Sequence, residues 1–181
     1  ANIGKEEQTV YGKIIKHTEL LKNKISLEEV ITSKFTPFYG KSPNEIENHF
    51  NLKLNKKSKS YFASLTKSIL GIGLSQRIEE FDKADIQIKT IRLKENNLPD
   101  QHISFPVFKY EEIINIDWEN SNFKRILEQK FFLVFYQFDN KKLVLRNVQF
   151  WNMSNNDIDE ARAVWDKTVE TIRKGKIVKE V

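Results

Sequence analysis

Glu80 and Gln87 stand seven residues apart, and Lys89 follows within the run Gln87-Ile88-Lys89-Thr90-Ile91, whose alternation suits a β-strand. Residue types at this spacing belong to metal-assisted phosphodiester hydrolysis. One acid on the approach to a strand and one on it can hold Mg²⁺ against a scissile phosphate, while a lysine two residues on stabilises the attacking water. With residues 85 to 93 extended, Asp85, Gln87 and Lys89 share one face by the two-residue period, and Ile86 and Ile88 point to the other. Gln87 breaks the chemistry without breaking the geometry. It offers a neutral carbonyl oxygen where a hard dication requires a carboxylate.

Charge is segregated around this segment. No acid occurs from Asn48 to Ile78, a stretch that carries Lys53, Lys56, Lys57, Lys59, Lys67 and Arg77, and then Glu79, Glu80, Asp82 and Asp85 crowd together. Cations beside an acidic pocket suit a phosphate backbone, so Lys56, Lys57, Lys59 and Lys67 are the candidate DNA contacts. Ser60 leads into a predicted helix whose first amides can also face a phosphate. The plainer reading of such a run is a solvated lysine-rich loop. Lys130 opens the most apolar stretch and is a candidate second cation for the Lys89 site, although a lysine at a strand edge commonly just extends to solvent. His17, His49 and His102 lack ligand-spaced partners and read as surface or structural groups. Trp118, Trp151 and Trp165 sit among apolar neighbours and read as core. No phosphate loop, dinucleotide-binding glycine pattern or nucleophile elbow is present.

The elements that must position these residues follow from capping and periodicity. Ser26-Leu-Glu-Glu29 and Ser42-Pro-Asn-Glu45 each form a capping box, the second with Pro43 at the first helical position. A third helix is predicted over Ser58 to Leu70, ended by Gly71 and Gly73. Strands follow over 85 to 93 and near His102 to Lys109, with a helix over Ser121 to Gln129. A hairpin of residues 131–138 and 143–151 turns at Asp139-Asn140-Lys141-Lys142. The last helix, over 155 to 174, places Ile158, Ala161, Trp165, Thr168 and Ile172 on one face and closes at Gly175. The class is α/β or α+β, a central mixed sheet flanked by helices. Residues 1–25 read as a lead-in or linker and 26–181 as the domain. With 181 residues, 39% hydrophobic and 12% aromatic, the chain can bury a real core, and its net charge of +5 permits a polyanionic partner. The absence of cysteine excludes disulfides and thiolate zinc sites. With no long apolar run or signal-peptide pattern, the expected setting is the cytoplasm, with no membrane partner. A start at Ala1 without Met and a strand-like end, KIVKEV, suggest a piece excised from a longer protein.

The segment Glu80 to Ile91 resembles the D-x6-E-x-K-T-[IP] segment of the MutH family, which includes the mismatch-repair nicking enzyme and Sau-type restriction endonucleases that cut at GATC. The likeness continues in order through ISFPVFKYEEI (103–113), Trp118-Glu119, Lys130-Phe131-Phe132 and VWDKTVETIRKGK (164–176), covering about residues 26 to 181. It implies the PD-(D/E)xK restriction-endonuclease-like fold. The family's metal-binding Asp falls on Glu80 and its metal-binding Glu on Gln87; its lysine is kept as Lys89, and a further active-site lysine matches Lys130. A helix Glu of the family falls near Thr66 or Lys67, where this chain has no acid. Two of three acidic positions are thus lost.

The family's large restriction enzymes resemble two tandem copies, an active N-terminal one and a degenerate C-terminal one, and this chain resembles the second. A DNA-contacting segment beyond Val181 is also implied. The resulting expectation is a GATC-specific domain for double-stranded DNA within a type II restriction endonuclease. It would be non-catalytic, need no cofactor of its own and assist an N-terminal catalytic MutH-like domain of the same protein; homodimerisation on DNA is compatible. Glu80, Gln87, Lys89 and Lys130 would form the vestigial catalytic site. The alternatives are an active Mg²⁺ nuclease, in which Glu80, Asp85 and Asp82 or Glu79 supply the ligands, and a protein-interaction or dimerisation module.

Overall fold

Both predicted capping boxes form. In the computed structural model, which describes residues 9–14, 26–101 and 109–175, Ser26 and Ser42 each accept the backbone N–H three residues on, while Glu29 and Glu45 reach back to the serine amides. They start α1 (Leu27–Ser33) and α2 (Pro43–His49). Between these, a 3₁₀ turn, Thr36–Phe38, directs Phe35 and Phe38 inward. The third helix, α3 (Tyr61–Leu70), begins later than predicted because residues 55–60 close turns of their own. It stops at Gly71, whose φ of 78° is left-handed and costs glycine little.

Two short strands come next in the packing, and neither was legible in the sequence. β1 (Tyr11–Gly12) pairs in parallel with β2 (Arg77–Ile78), Tyr11 opposite Arg77 and Gly12 opposite Ile78. Ile14, beyond β1, is buried and joins the core, while Val10 and Tyr11 are exposed. The acidic run itself is a short helix, α4 (Glu79–Lys83), which buries Phe81. β3 then covers Ile86–Leu93. Asp85 lies outside the strand: its φ of +48° places it in a left-handed turn, so it does not share the strand face with Gln87 and Lys89. Helices α5 (Tyr110–Ile113) and α6 (Asn122–Leu127, capped by Ser121) precede β4 (Lys130–Asp139) and β5 (Lys142–Trp151). The hairpin turns on Asn140 and Lys141, both at positive φ (47° and 65°), as a two-residue turn matching the strand twist requires. The final helix, α7, runs Asn155–Arg173 from a Ser154 cap, with Gly175 left-handed after it. The predicted strand near His102 to Lys109 lies largely outside the described residues, as do His17, His102 and the terminal KIVKEV.

The class is α+β. β3, β4 and β5 form one sheet in that order, and β1 and β2 a separate pair. Beside β5, Gly40 N–H donates to Leu145 O (2.8 Å) and Leu145 N–H to Lys41 O (2.9 Å), which covers that edge against pairing with another chain. The chain divides into two compact units, Ala1–His102 with Phe131–Phe150, and Ile103–Lys130 with Trp151–Val181. In the first, Phe132 is fully buried and meets Phe35, Phe81 and Phe150 at ring separations of 5.4, 5.6 and 4.8 Å. Each such side chain contributes about 1.5–3 kcal/mol through burial. In the second, Trp118, Trp165 and Phe123 pack mutually at 6.0–6.1 Å over Ile113, Leu127 and Val169. Trp118 and Trp165 are therefore core, as expected. Among the described residues, no helix is long and apolar enough to cross a membrane.

Candidate functional site

The acids of α4 are committed to protein partners. Because α4 follows β2 directly and β2 pairs with β1, the acidic run lies against residues 13 and 14. Ile14 N–H donates to Glu80 Oε1 at 2.9 Å. Glu79 meets Lys83 Nζ at 2.6 Å and Lys13 Nζ at 3.6 Å, and the Lys83 hydrogen bond holds its carboxyl below the usual range. Asp82 pairs with Arg77 at 3.2 Å. Glu79 and Asp82 thus face basic neighbours, whereas Glu80 faces a backbone amide.

Gln87 is exposed on β3, and Lys89, two residues on, is half-buried. Asp85 stands in its left-handed turn, its amide against Asp82 O at 3.4 Å. Magnesium takes about six oxygens in near-octahedral order, and among the described residues no group of three or more His, Asp or Glu gathers where one ion could touch them all. Of the alternative set, Glu79 and Asp82 face cations, Glu80 faces the Ile14 amide and Asp85 lies off the strand. Lys130 is half-buried at the first position of β4 and belongs to the second unit, whereas Glu80, Gln87 and Lys89 belong to the first.

The lysine-rich segment is a shaped loop with exposed cations. Lys56, Lys57, Lys59 and Ser60 are all exposed, as is Lys53. Asn55 organises the tip: its Oδ1 accepts Lys57 N–H (3.0 Å) and its carbonyl accepts Ser58 N–H (2.9 Å), the Asx-turn pattern. Ser58 Oγ accepts Ser60 N–H at 3.2 Å and lies 2.8 Å from Ser60 Oγ. Ser60 itself makes no side-chain cap on α3. Lys67 departs from the expectation. Its ammonium donates to Leu74 O (3.0 Å) and Gln76 O (2.6 Å), closing the segment between α3 and β2 instead of facing outward. Thr66, the other position where the family's helix acid falls, is fully buried, and its hydroxyl finds no hydrogen-bond partner among the described residues.

Sequence reasoning missed Glu47, Lys13 and Ile14. Glu47 is 7% exposed near the end of α2; its Oε1 accepts Leu54 N–H at 2.9 Å and its Oε2 the Tyr61 hydroxyl at 3.0 Å. The Leu54 amide chiefly holds its carboxyl below the usual range against the opposing effect of burial, and burial with the Glu47 contact pushes the Tyr61 phenol up to about 12. Its one sequence signal is position, as the last acid before the long acid-free stretch. Lys13 and Ile14 carry no local signal, because their partners lie more than sixty residues away.

The sequence model of the DNA mismatch repair enzyme MutH matches residues 73–163, half of the chain. The chain belongs to the MutH family. The matched segment includes Glu80, Gln87, Lys89 and Lys130, whereas the lysine loop precedes it. This MutH-family chain is also 29% identical over 178 residues to the type II restriction enzyme Sau3AI of Staphylococcus aureus, a match covering 90% of the chain and 36% of that enzyme. It therefore spans about a third of the length of this relative.

Proposed function

We propose that this MutH-family chain binds double-stranded DNA without cutting it, as the GATC-reading part of a type II restriction endonuclease whose cleavage is performed by a separate catalytic copy. The observation carrying this reading is the internal neutralisation of α4. Glu79 and Asp82 are held by Lys13, Lys83 and Arg77, Glu80 takes the Ile14 amide, and the strand position beside Lys89 is a glutamine. A pocket so arranged has lost its repulsion for phosphate together with its metal ligands. The exposed lysines 56, 57 and 59 supply sequence-independent attraction to the backbone, and Lys89 remains as a cation of the vestigial site. Such a domain works in the cytoplasm, with duplex DNA and the catalytic copy as its partners, alone or as a pair on DNA.

Fluorescence anisotropy with a GATC duplex and a scrambled duplex tests this, across a salt series and with and without Mg²⁺, with cleavage followed on a gel. Preferential binding to GATC with both duplexes left intact is expected. Mg²⁺-dependent cutting would establish an active nuclease, and failure to bind either duplex would leave a protein-interaction module. Lys57→Ala should lower the slope of log K against log salt by about one unit at every sequence.

A further inference from the structure

We infer that Glu47 is a positioning residue for DNA binding, one buried carboxylate that clamps both ends of the lysine loop. The inference rests on the DNA-binding reading above and concerns a segment outside the part of the chain that the MutH model matches.

The geometry is specific. Oε1 of Glu47 holds Leu54 N–H at 2.9 Å, immediately before the loop, and Oε2 holds the Tyr61 hydroxyl at 3.0 Å, immediately after it. The Glu47 carbonyl also accepts Leu52 N–H at 3.0 Å. Between the two tethers lie residues 55–60, carrying Lys56, Lys57 and Lys59. Both anchors are themselves fixed: Glu47 follows the buried Ile46 on α2, and Tyr61 is buried at the start of α3 with its ring against Phe62. With its ends held and its tip closed by the Asn55 turn, the loop presents its cations already ordered, so less conformational freedom is lost on meeting a phosphate backbone.

Charge and position make opposite predictions here, which makes the role testable. A carboxylate near three lysines weakens their attraction for DNA, so deleting it would tighten binding if charge alone mattered. If the clamp matters, deletion loosens the loop and weakens binding. Tyr61→Phe removes only one tether and guards against a Glu47→Ala chain that fails to fold. Glu47→Gln is the conservative variant, because its carbonyl can keep Leu54 N–H and its amide can donate to the Tyr61 hydroxyl, which accepts as well as donates.

Duplex binding across a salt series, with amide hydrogen exchange of residues 52–61, measures both sides. Glu47→Ala and Tyr61→Phe should weaken binding by roughly ten-fold with the salt slope unchanged, since the lysines remain. Exchange should speed up in the loop while β4 stays protected, and Glu47→Gln should recover most of the affinity lost in Glu47→Ala. Equal or tighter binding by Glu47→Ala and Tyr61→Phe, in protein with a protected β4, would overturn the positioning role while leaving DNA binding intact. Absence of salt-dependent binding by the unaltered chain would overturn the DNA-binding reading and this role with it.

Discussion

Gln87 and Lys89 keep the strand spacing of a metal nuclease, yet the neighbouring carboxylates have found other partners. Restoring one acid therefore does not restore the site. We expect Gln87→Glu to leave supercoiled plasmid uncut in Mg²⁺, because Glu79 and Asp82 stay in ion pairs and Asp85 stays off the strand face. Mg²⁺-dependent nicking by this variant would show that the pairs yield readily to the metal. Tyr136 supplies a second prediction at this scale. It is fully buried on β4 with its ring 4.8 Å from Phe62, burial pushes its phenol up, and its hydroxyl has no hydrogen-bond partner among the described residues. Removing an unsatisfied buried hydroxyl relieves a desolvation cost. Tyr136→Phe should thus be neutral or stabilising by up to about 1 kcal/mol in urea denaturation, whereas a loss of more than that would reveal a partner for the hydroxyl.

The α2 capping box also connects this helix to the hairpin. Ser42 holds Glu45 Oε2 through its amide at 2.7 Å and its hydroxyl at 2.6 Å, and Lys142 at the start of β5 approaches it at 3.0 Å. Ser42 foremost, then Lys142, lowers the Glu45 carboxyl to about 2 from an ordinary 4.5. A folded pKa below the unfolded one gives stability that is fully present above about pH 4.5 and fades as the pH falls toward 2. The stability gap between the native chain and Glu45→Gln should therefore shrink across that window, which urea midpoints at pH 6, 4 and 2.5 can follow; a constant gap would refute the linkage. Features like this box were legible because all their members lie within four residues. The same locality exposed the hairpin turn and the left-handed stop at Gly71. What escaped depends on distant encounters: two-residue strands have no period to detect, and the turn at Asp85 is invisible to a strand pattern that continues through it. Likewise, the sequence marks Lys67 as a cation without disclosing that Leu74 and Gln76 turn back to receive its ammonium.

Each compact unit of the molecule has its own aromatic centre, and the smaller one depends on very few side chains. Trp165, 7% exposed, stacks with Phe123 at 6.0 Å and meets Trp118 at the same separation. Trp165→Ala should cost about 3–5 kcal/mol of that unit's stability, read from its denaturation midpoint and the near-ultraviolet dichroism of the remaining indoles. A loss under about 1 kcal/mol would mean that the unit is held by something other than this cluster. The larger unit carries a different vulnerability, because its core is assembled from two stretches of chain with residues 103–130 between them. Phe35 and Phe81 both rest on Phe132, which a ribosome adds only after that intervening segment. Until then a nascent chain carries α1, α3 and α4 with their apolar faces uncovered, the condition in which chaperones bind and aggregation begins. A polypeptide cut just ahead of Phe131 would accordingly keep Phe35 and Phe81 but lack the ring on which both rest, and β3 would lose its partner β4.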